Sequence, residues 1–290
     1  MRPEDIPRPD KPLFPDGTTK LDLALHYERV APVMVPHVKD RPLNLQRFPD
    51  GIGGRGLFTQ QAPAHFPAFV RRITVPKKGG TVDHAAVDGP DALVYLAGQA
   101  CVTLHAWMSR RDRLERPDRL ILDLDPSVDD FASVRDAARE AGDVFRECGL
   151  EPFALVTGSR GVHVVAPLRR SAEHADVAKV GKGIAAVLAE RDPDRLTTEF
   201  RIDKRGDRIY LDAGRVRWGH TAVAPYSVRA RPGAPVATPI RWSELDDDGL
   251  RPDAWTLRTL PARLDEVGDP WADIAHHANG LSKARRALRV

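Results

Sequence analysis

Apolar residues at Leu21, Leu25 and Val30 recur at helical spacing behind Thr19, a residue type suited to an N-cap, and Pro32 is expected to end that helix. Residues 1–16, rich in proline and charge, read as an extended arm. From there to about Trp107, short apolar segments (69–75 and 92–104) alternate with Gly/Pro-rich turns such as Asp50-Gly51-Ile52-Gly53-Gly54. This half reads as an α/β lobe.

The pattern is cleaner beyond it. Residues 119–125 form a buried strand, with Leu120, Leu122 and Leu124 on one face and Pro126 closing it. Asp129 or Asp130 then caps a helix striped by Phe131, Val134, Ala138, Ala141, Phe145 and Cys148. Residues 153–157 and 162–167 are short strands joined by the hairpin-like turn Gly158-Ser159-Arg160-Gly161. A second helix is expected behind a Ser171 cap, with Val177, Val180, Ile184 and Leu188 as its stripe, and residues 208–212 make a last strand. Strand, helix, strand, strand, helix, strand is the split βαβ, ferredoxin-like order of an α+β fold. In its usual sheet the first and third strands are central and the fourth lies beside the first, so Asp123, Asp125, His163 and Asp212 are expected to converge.

Side chains alternate along a strand, so Asp123 and Asp125 share a face with Cα atoms about 6.5–7 Å apart. Alone, an Asp-x-Asp pair is commonly an exposed acidic strand end. A third acid, Asp212, on the expected neighbouring strand weakens that reading. Like charges this close call for a neutralising cation, and three carboxylates suit hard ions such as Mg²⁺ or Mn²⁺. Two such ions can stabilise the attacking and leaving oxygens of phosphoryl transfer. The segment Thr157-Gly158-Ser159-Arg160-Gly161-Val162-His163 offers backbone N–H groups, hydroxyls, a guanidinium and an imidazole to a triphosphate. It lacks the Gly-Lys-Ser/Thr ending of a Walker A loop and does not match a nucleophile elbow.

Charge adds little by total and more by position. The net +3 is the difference between 44 basic and 41 acidic residues, which alone does not indicate a nucleic-acid partner. Basic residues gather at 71–72, 77–78, 110–119, 204–205 and 283–289, and acidic ones at 244–248. Cys101 and Cys148 sit in no paired spacing and read as reduced apolar fillers. Neither a signal peptide nor an apolar run of about 20 residues is present, so a cytoplasmic protein without a membrane partner is expected.

Together these stretches resemble the polymerase domain of bacterial non-homologous end-joining ligase D, within the archaeo-eukaryotic primase superfamily. The resemblance runs through Leu13-Phe14-Pro15, Thr19-Lys20, Arg41-Pro42, Pro49-Asp50-Gly51 and Leu104-His105-Ala106-Trp107. It continues through Leu122-Asp123-Leu124-Asp125-Pro126, residues 158–163, and Thr221-Ala222-Val223-Ala224-Pro225-Tyr226-Ser227 with Arg229 and Arg231. It implies a primase-polymerase fold whose ferredoxin/RRM-like βαββαβ catalytic module (108–290) packs on an N-terminal lobe (1–107). Asp123, Asp125 and Asp212 would be catalytic and hold two Mn²⁺ or Mg²⁺ ions. Thr157, Ser159, Arg160, His163, Arg215 and Arg231 would contact the incoming triphosphate, and His105 the nucleotide sugar, favouring ribonucleotides. Lys11 and Lys20 match a pocket for a DNA 5′-phosphate, and Phe58 a residue that stacks on template bases.

Two departures stand out. Leu57-Phe58-Thr59-Gln60 replaces a common Phe-Phe-x-Lys, and Ala213-Gly214-Arg215-Val216 replaces aromatic-Leu-Arg-Asn after the third acid. The expected function is template-dependent nucleotidyl transfer to primers at gaps or double-strand breaks, in a stand-alone form associated with the nucleoid. Its substrates would be ribo- or deoxyribonucleoside triphosphates, and its partners DNA, Ku and a separate ATP-dependent DNA ligase. The Asp-Leu-Asp strand end also resembles the nucleophile motif of haloacid-dehalogenase-type phosphatases, which use a parallel sheet. A non-catalytic end-bridging module would need the basic clusters but not the acids.

Overall fold

The computed structural model describes all 290 residues. Its first elements are α1 (Lys20–Val38), β1 (Leu43–Arg47), β2 (Leu57–Thr59), β3 (Arg71–Lys77), β4 (Gly80–Ala86), α2 (Pro90–Gly98) and β5 (Cys101–Trp107). Next come β6 (Arg119–Pro126), α3 (Phe131–Glu147), β7 (Phe153–Val156), β8 (Val162–Pro167), α4 (His174–Arg191), β9 (Leu196–Thr197) and β10 (Ile209–Asp212). The last are β11 (Thr221–Val223), β12 (Thr238–Ile240), α5 (Leu260–Val267) and α6 (Ser282–Leu288). No helix is long and apolar enough to cross a membrane.

Two compact units interleave along the chain. One comprises Met1–Leu114, Thr221–Thr238 and Trp255–Asp269; the other comprises Glu115–His220, Pro239–Ala254 and Pro270–Val290. The division expected at 107/108 therefore falls at 114/115, and later chain returns to the first unit because β11 hydrogen-bonds to β5.

In the first unit the sheet runs β11-β5-β1-β4-β3, with β2 also on β1. Its core includes Leu23, Tyr27, Val30 and Met34 of α1, Leu93 and Leu96 of α2, and Leu43, Leu45 and Leu104 of the sheet. Thr19 caps α1 through a reciprocal box with Asp22. The helix does not stop at Pro32 but continues to Val38, with Pro32 and Pro36 inside it. Both prolines lie on the exposed side four residues apart, so the hydrogen bonds they remove face water while Ala31, Met34 and Val38 hold the helix to the core.

In the second unit the sheet order is β12-β7-β8-β6-β10-β9. Within the split βαβ the first and third strands, β6 and β8, are central, and the fourth, β10, lies beside β6. The β6–β8, β7–β8 and β6–β10 pairs are all antiparallel, which removes the parallel sheet a dehalogenase-type phosphatase requires. Leu120, Leu122 and Leu124 point to the helical layer, where a Cβ on Gly181 of α4 would meet Leu120 at 3.0 Å. Asp130 caps α3, its carboxylate accepting from the Ser133 amide at 3.1 Å. Ser171 does not cap α4: its amide and hydroxyl both turn back to the Arg169 carbonyl, and the helix begins after Glu173.

Candidate active site

Strand register assembles the site. Asp123 of β6 pairs with His163 of β8 on one side and Asp212 of β10 on the other, and Asp125 pairs with Tyr210. These side chains share the sheet face opposite the helices. On that same face Arg119 stacks over Trp271, with 5.7 Å to the ring centroid, and Phe153 meets the indole edge-on, closing one end. The other end carries the charge.

Asp123 is buried, with His163 Nε2 3.5 Å from Oδ1 and Arg215 Nη2 and Nε 2.9 and 3.1 Å from Oδ2. Burial opposes its ionisation, but His163 and Arg215 outweigh that and hold the carboxyl well below the usual carboxylate range. Arg215 also reaches Asp212 Oδ2 at 3.2 Å, while Asp212 Oδ1 accepts from the Gly214 amide at 2.7 Å. Asp125 behaves oppositely. Burial and then the Asp123 charge push its carboxyl up, although Arg160 at 3.3 Å and Arg205 at 3.7 Å oppose them.

The turn between β7 and β8 is more committed to the fold than its composition implies. The Gly158 amide donates to the Pro252 carbonyl, and the Thr157 hydroxyl donates to the Gly161 carbonyl and accepts from its amide. A Cβ at Gly161 would lie 2.1 Å from the Leu124 carbonyl oxygen, so only glycine lets β8 start against β6 here. Ser159 is half-buried, and exposed Arg160 is the member of the turn that reaches the acids.

The remaining candidates lie in the first unit. His105 on β5 and exposed Phe58 on β2 bring their rings to 5.7 Å. Lys20 opens α1 with its side chain buried, its ammonium donating to the Pro7 carbonyl. Burial and then the charges of Arg8 and Lys11 lower its pKa. Lys11 lies 3.6 Å from Asp50. Arg231 sits in an exposed turn, its carbonyl accepting from Ala234.

Sequence reasoning missed Arg205. Its guanidinium lies 3.9 Å from the Tyr210 ring centroid and reaches Asp125, yet in the sequence it is one of several paired basic residues on a loop. Its signal is indirect: it precedes Gly206, whose φ of 57° turns the chain back towards β10. A divalent cation would find hard oxygen donors at Asp123, Asp125 and Asp212. No three acidic, histidine or cysteine groups converge as a ligand set here, and Arg215 carries the positive charge between Asp123 and Asp212. A guanidinium held by two carboxylates, beside a third whose ionisation is disfavoured, fits an acid set that takes a cation.

A family model for the LigD primase-polymerase domain matches residues 19–271. The multifunctional non-homologous end joining protein LigD of Pseudomonas aeruginosa is 34% identical over 272 residues, which are 92% of this chain and 32% of that protein. The bifunctional LigD of Bacillus subtilis is 28% identical over 268 residues, covering 91% of this chain and 43% of the relative. The polymerase domain of Mycobacterium tuberculosis Ligase D, solved in complex with DNA, superposes with a TM-score of 0.88 at 28% identity, covering 94% of this chain and 98% of that one. The chain thus spans about a third of the length of the multifunctional relatives it matches.

Proposed function

The chain belongs to the LigD primase-polymerase domain family, a family of nucleotidyltransferases, and from that membership we propose that it extends primers on DNA templates at gaps and broken ends. The observation that carries this reading is the strand register that aligns Asp212 with Asp123 and Tyr210 with Asp125, beside His163. In the reaction the primer 3′-hydroxyl loses its proton to solvent as its oxygen bonds to the α-phosphorus of the incoming nucleotide, the bond from the α-phosphorus to the bridging β-phosphate oxygen breaks, and pyrophosphate leaves. Two divalent ions, Mn²⁺ or Mg²⁺, held by Asp123, Asp125 and Asp212 would supply charge neutralisation at the attacking and leaving oxygens.

The protein's own groups do the rest. Arg160, Arg215 and His163 orient the triphosphate by charge and hydrogen bonding, with Arg231 a further contact to it. Thr157 shapes the turn that presents Ser159 and Arg160. His105 faces the sugar and favours ribonucleotides, Phe58 stacks on the template, and the Lys11/Lys20 cluster takes the 5′-phosphate of the downstream strand. The same reading carries a nucleoid location, with Ku and an ATP-dependent DNA ligase as partners at the break.

Primer extension on gapped DNA tests it, with and without a 5′-phosphate and with ribo- or deoxyribonucleotides in Mn²⁺ or Mg²⁺. The wild type should extend, best with ribonucleotides and a 5′-phosphate, and Asp125→Ala should bind DNA without extending. Normal extension by Asp125→Ala in Mn²⁺ would overturn the metal assignment.

A further inference from the structure

The two most exposed large apolar side chains in the protein are neighbours on one loop: Phe200 is 77% exposed and Ile202 78%. Leaving both in water is unfavourable, and the loop does not hide them although it is firmly built. Arg205 donates to the carbonyls of Glu199 at 3.1 Å and Phe200 at 2.8 Å, and the Glu199 amide donates to the Thr197 hydroxyl at 3.1 Å. The tip is therefore held out on a fixed scaffold.

That scaffold is continuous with the acids. The Phe200 ring meets Tyr210 edge-on with centroids 6.4 Å apart, and Tyr210 is the register partner of Asp125. Arg205 stacks on Tyr210 and reaches Asp125 as well as holding the Phe200 carbonyl. A flat group resting on Phe200 would thus lie about one side chain from the carboxylates. Exposed Lys204 and Arg201 flank the tip, Arg201 paired with Asp203 at 2.7 Å, and an aromatic face beside cations suits a base and its phosphate. Two side chains make too small a patch for a stable protein interface, which takes about 800 Å² per partner. The tip is a three-residue 3-10 turn (Ile202–Lys204) and not an amphipathic helix of the kind that lies in a membrane surface.

We propose that Phe200, backed by Ile202, is a stacking platform for an unpaired base of the DNA strand entering the carboxylate site. The inference rests on the polymerase reading above and adds a strand contact to it.

The test is a binding titration of the full chain with fluorescently labelled gapped DNA carrying a single-stranded template segment, against a continuous duplex of equal length, alongside extension assays. Phe200→Ala should weaken gapped-DNA binding by at least about fivefold, the low end for losing one stacked base, and leave duplex binding and the melting temperature unchanged. Ile202→Ala should weaken it less, and Phe200→Trp should retain wild-type affinity. Gapped-DNA affinities within twofold of wild type for both alanine variants, with the wild type extending primers, would overturn this inference and leave the polymerase reading intact. Equal weakening on duplex would overturn it too, by making the contact a general one. A wild type that neither binds gapped DNA nor extends primers would overturn both.

Discussion

The Arg215 guanidinium lies 2.9 Å from the Asp123 carboxylate, and the same side chain reaches Asp212 at 3.2 Å. It thus carries the positive charge between two acids on adjoining strands. Removing it leaves the buried anion of Asp123 with His163 alone. Arg215→Ala should therefore melt at least about 2 °C lower than wild type in EDTA, the scale of roughly 1 kcal/mol in a chain of this size. Adding Mn²⁺ should raise its melting temperature more than that of the wild type, because the acids then lack their internal cation. A smaller Mn²⁺ response than wild type in thermal-shift measurements would contradict the bridging role.

Asp125 differs from its neighbour in the sign of its shift. Burial and the Asp123 charge both disfavour its ionised form. Asp125→Asn should keep or slightly raise the melting temperature while extension falls by about 100-fold or more, the scale of losing an electrostatic contribution to the transition state. The paired readout of melting and single-turnover extension checks both halves.

Much of this site was legible in the sequence because strand alternation and register are short-range rules. Asp123 and Asp125 had to share a face, and a split βαβ order had to bring Asp212 and His163 beside them. What was not legible depends on long-range partners. Arg205 gains its place only when its loop folds over Tyr210. The Thr157 hydroxyl and Gly158 amide look available for phosphate until the Gly161 carbonyl and Pro252 take them. Pro32 read as a stop because propensity does not register the core contacts that carry α1 past it.

Lys20 is a buried ammonium whose pKa is lowered by burial and by the like charges of Arg8 and Lys11. Methionine keeps the length of the side chain and removes the charge that burial disfavours. Lys20→Met should fold with a melting temperature no lower than wild type, and lose about tenfold or more of the preference for gaps bearing a 5′-phosphate, the scale of one charge-assisted hydrogen bond. Affinities for phosphorylated and unphosphorylated gaps, measured side by side, decide this; unchanged discrimination would separate the lysine from phosphate recognition.

His26 is fully buried in the first unit, with Nε2 3.1 Å from the Tyr226 carbonyl oxygen, and burial pushes its pKa down from 6.5 to about 4. The neutral ring is the native form, so above pH 6.5 folded and unfolded chains bind the same number of protons at this site. As pH falls below 6.5 the unfolded chain takes up a proton that the native one refuses, and stability drops until the folded group also titrates near 4. By pH 5 the loss should be about 2 kcal/mol, from roughly 1.4 kcal/mol per pKa unit of difference. Urea midpoints at pH 7 and pH 5 should show it in the wild type, and His26→Gln, which can still donate to Tyr226, should lose most of this contribution.

Gly158 and Gly161 bound the same turn but limit it differently. Gly158 has φ +65° with its amide on Pro252, so Gly158→Ala strains the backbone by about 1 kcal/mol, the cost of a left-handed non-glycine residue. At Gly161 the obstacle is the Leu124 carbonyl 2.1 Å from the new Cβ, backbone on the central strand that carries Asp123 and Asp125. Relief would require β6 and β8 to separate at the row of the acids. Gly161→Ala should therefore destabilise by roughly 3 kcal/mol or more and abolish extension, whereas Gly158→Ala should melt only a few degrees lower and keep measurable activity. Thermal melts and extension rates on the two variants in parallel test this order, and a Gly161→Ala protein as stable as Gly158→Ala would mean that the β6–β8 junction yields more easily than its packing indicates.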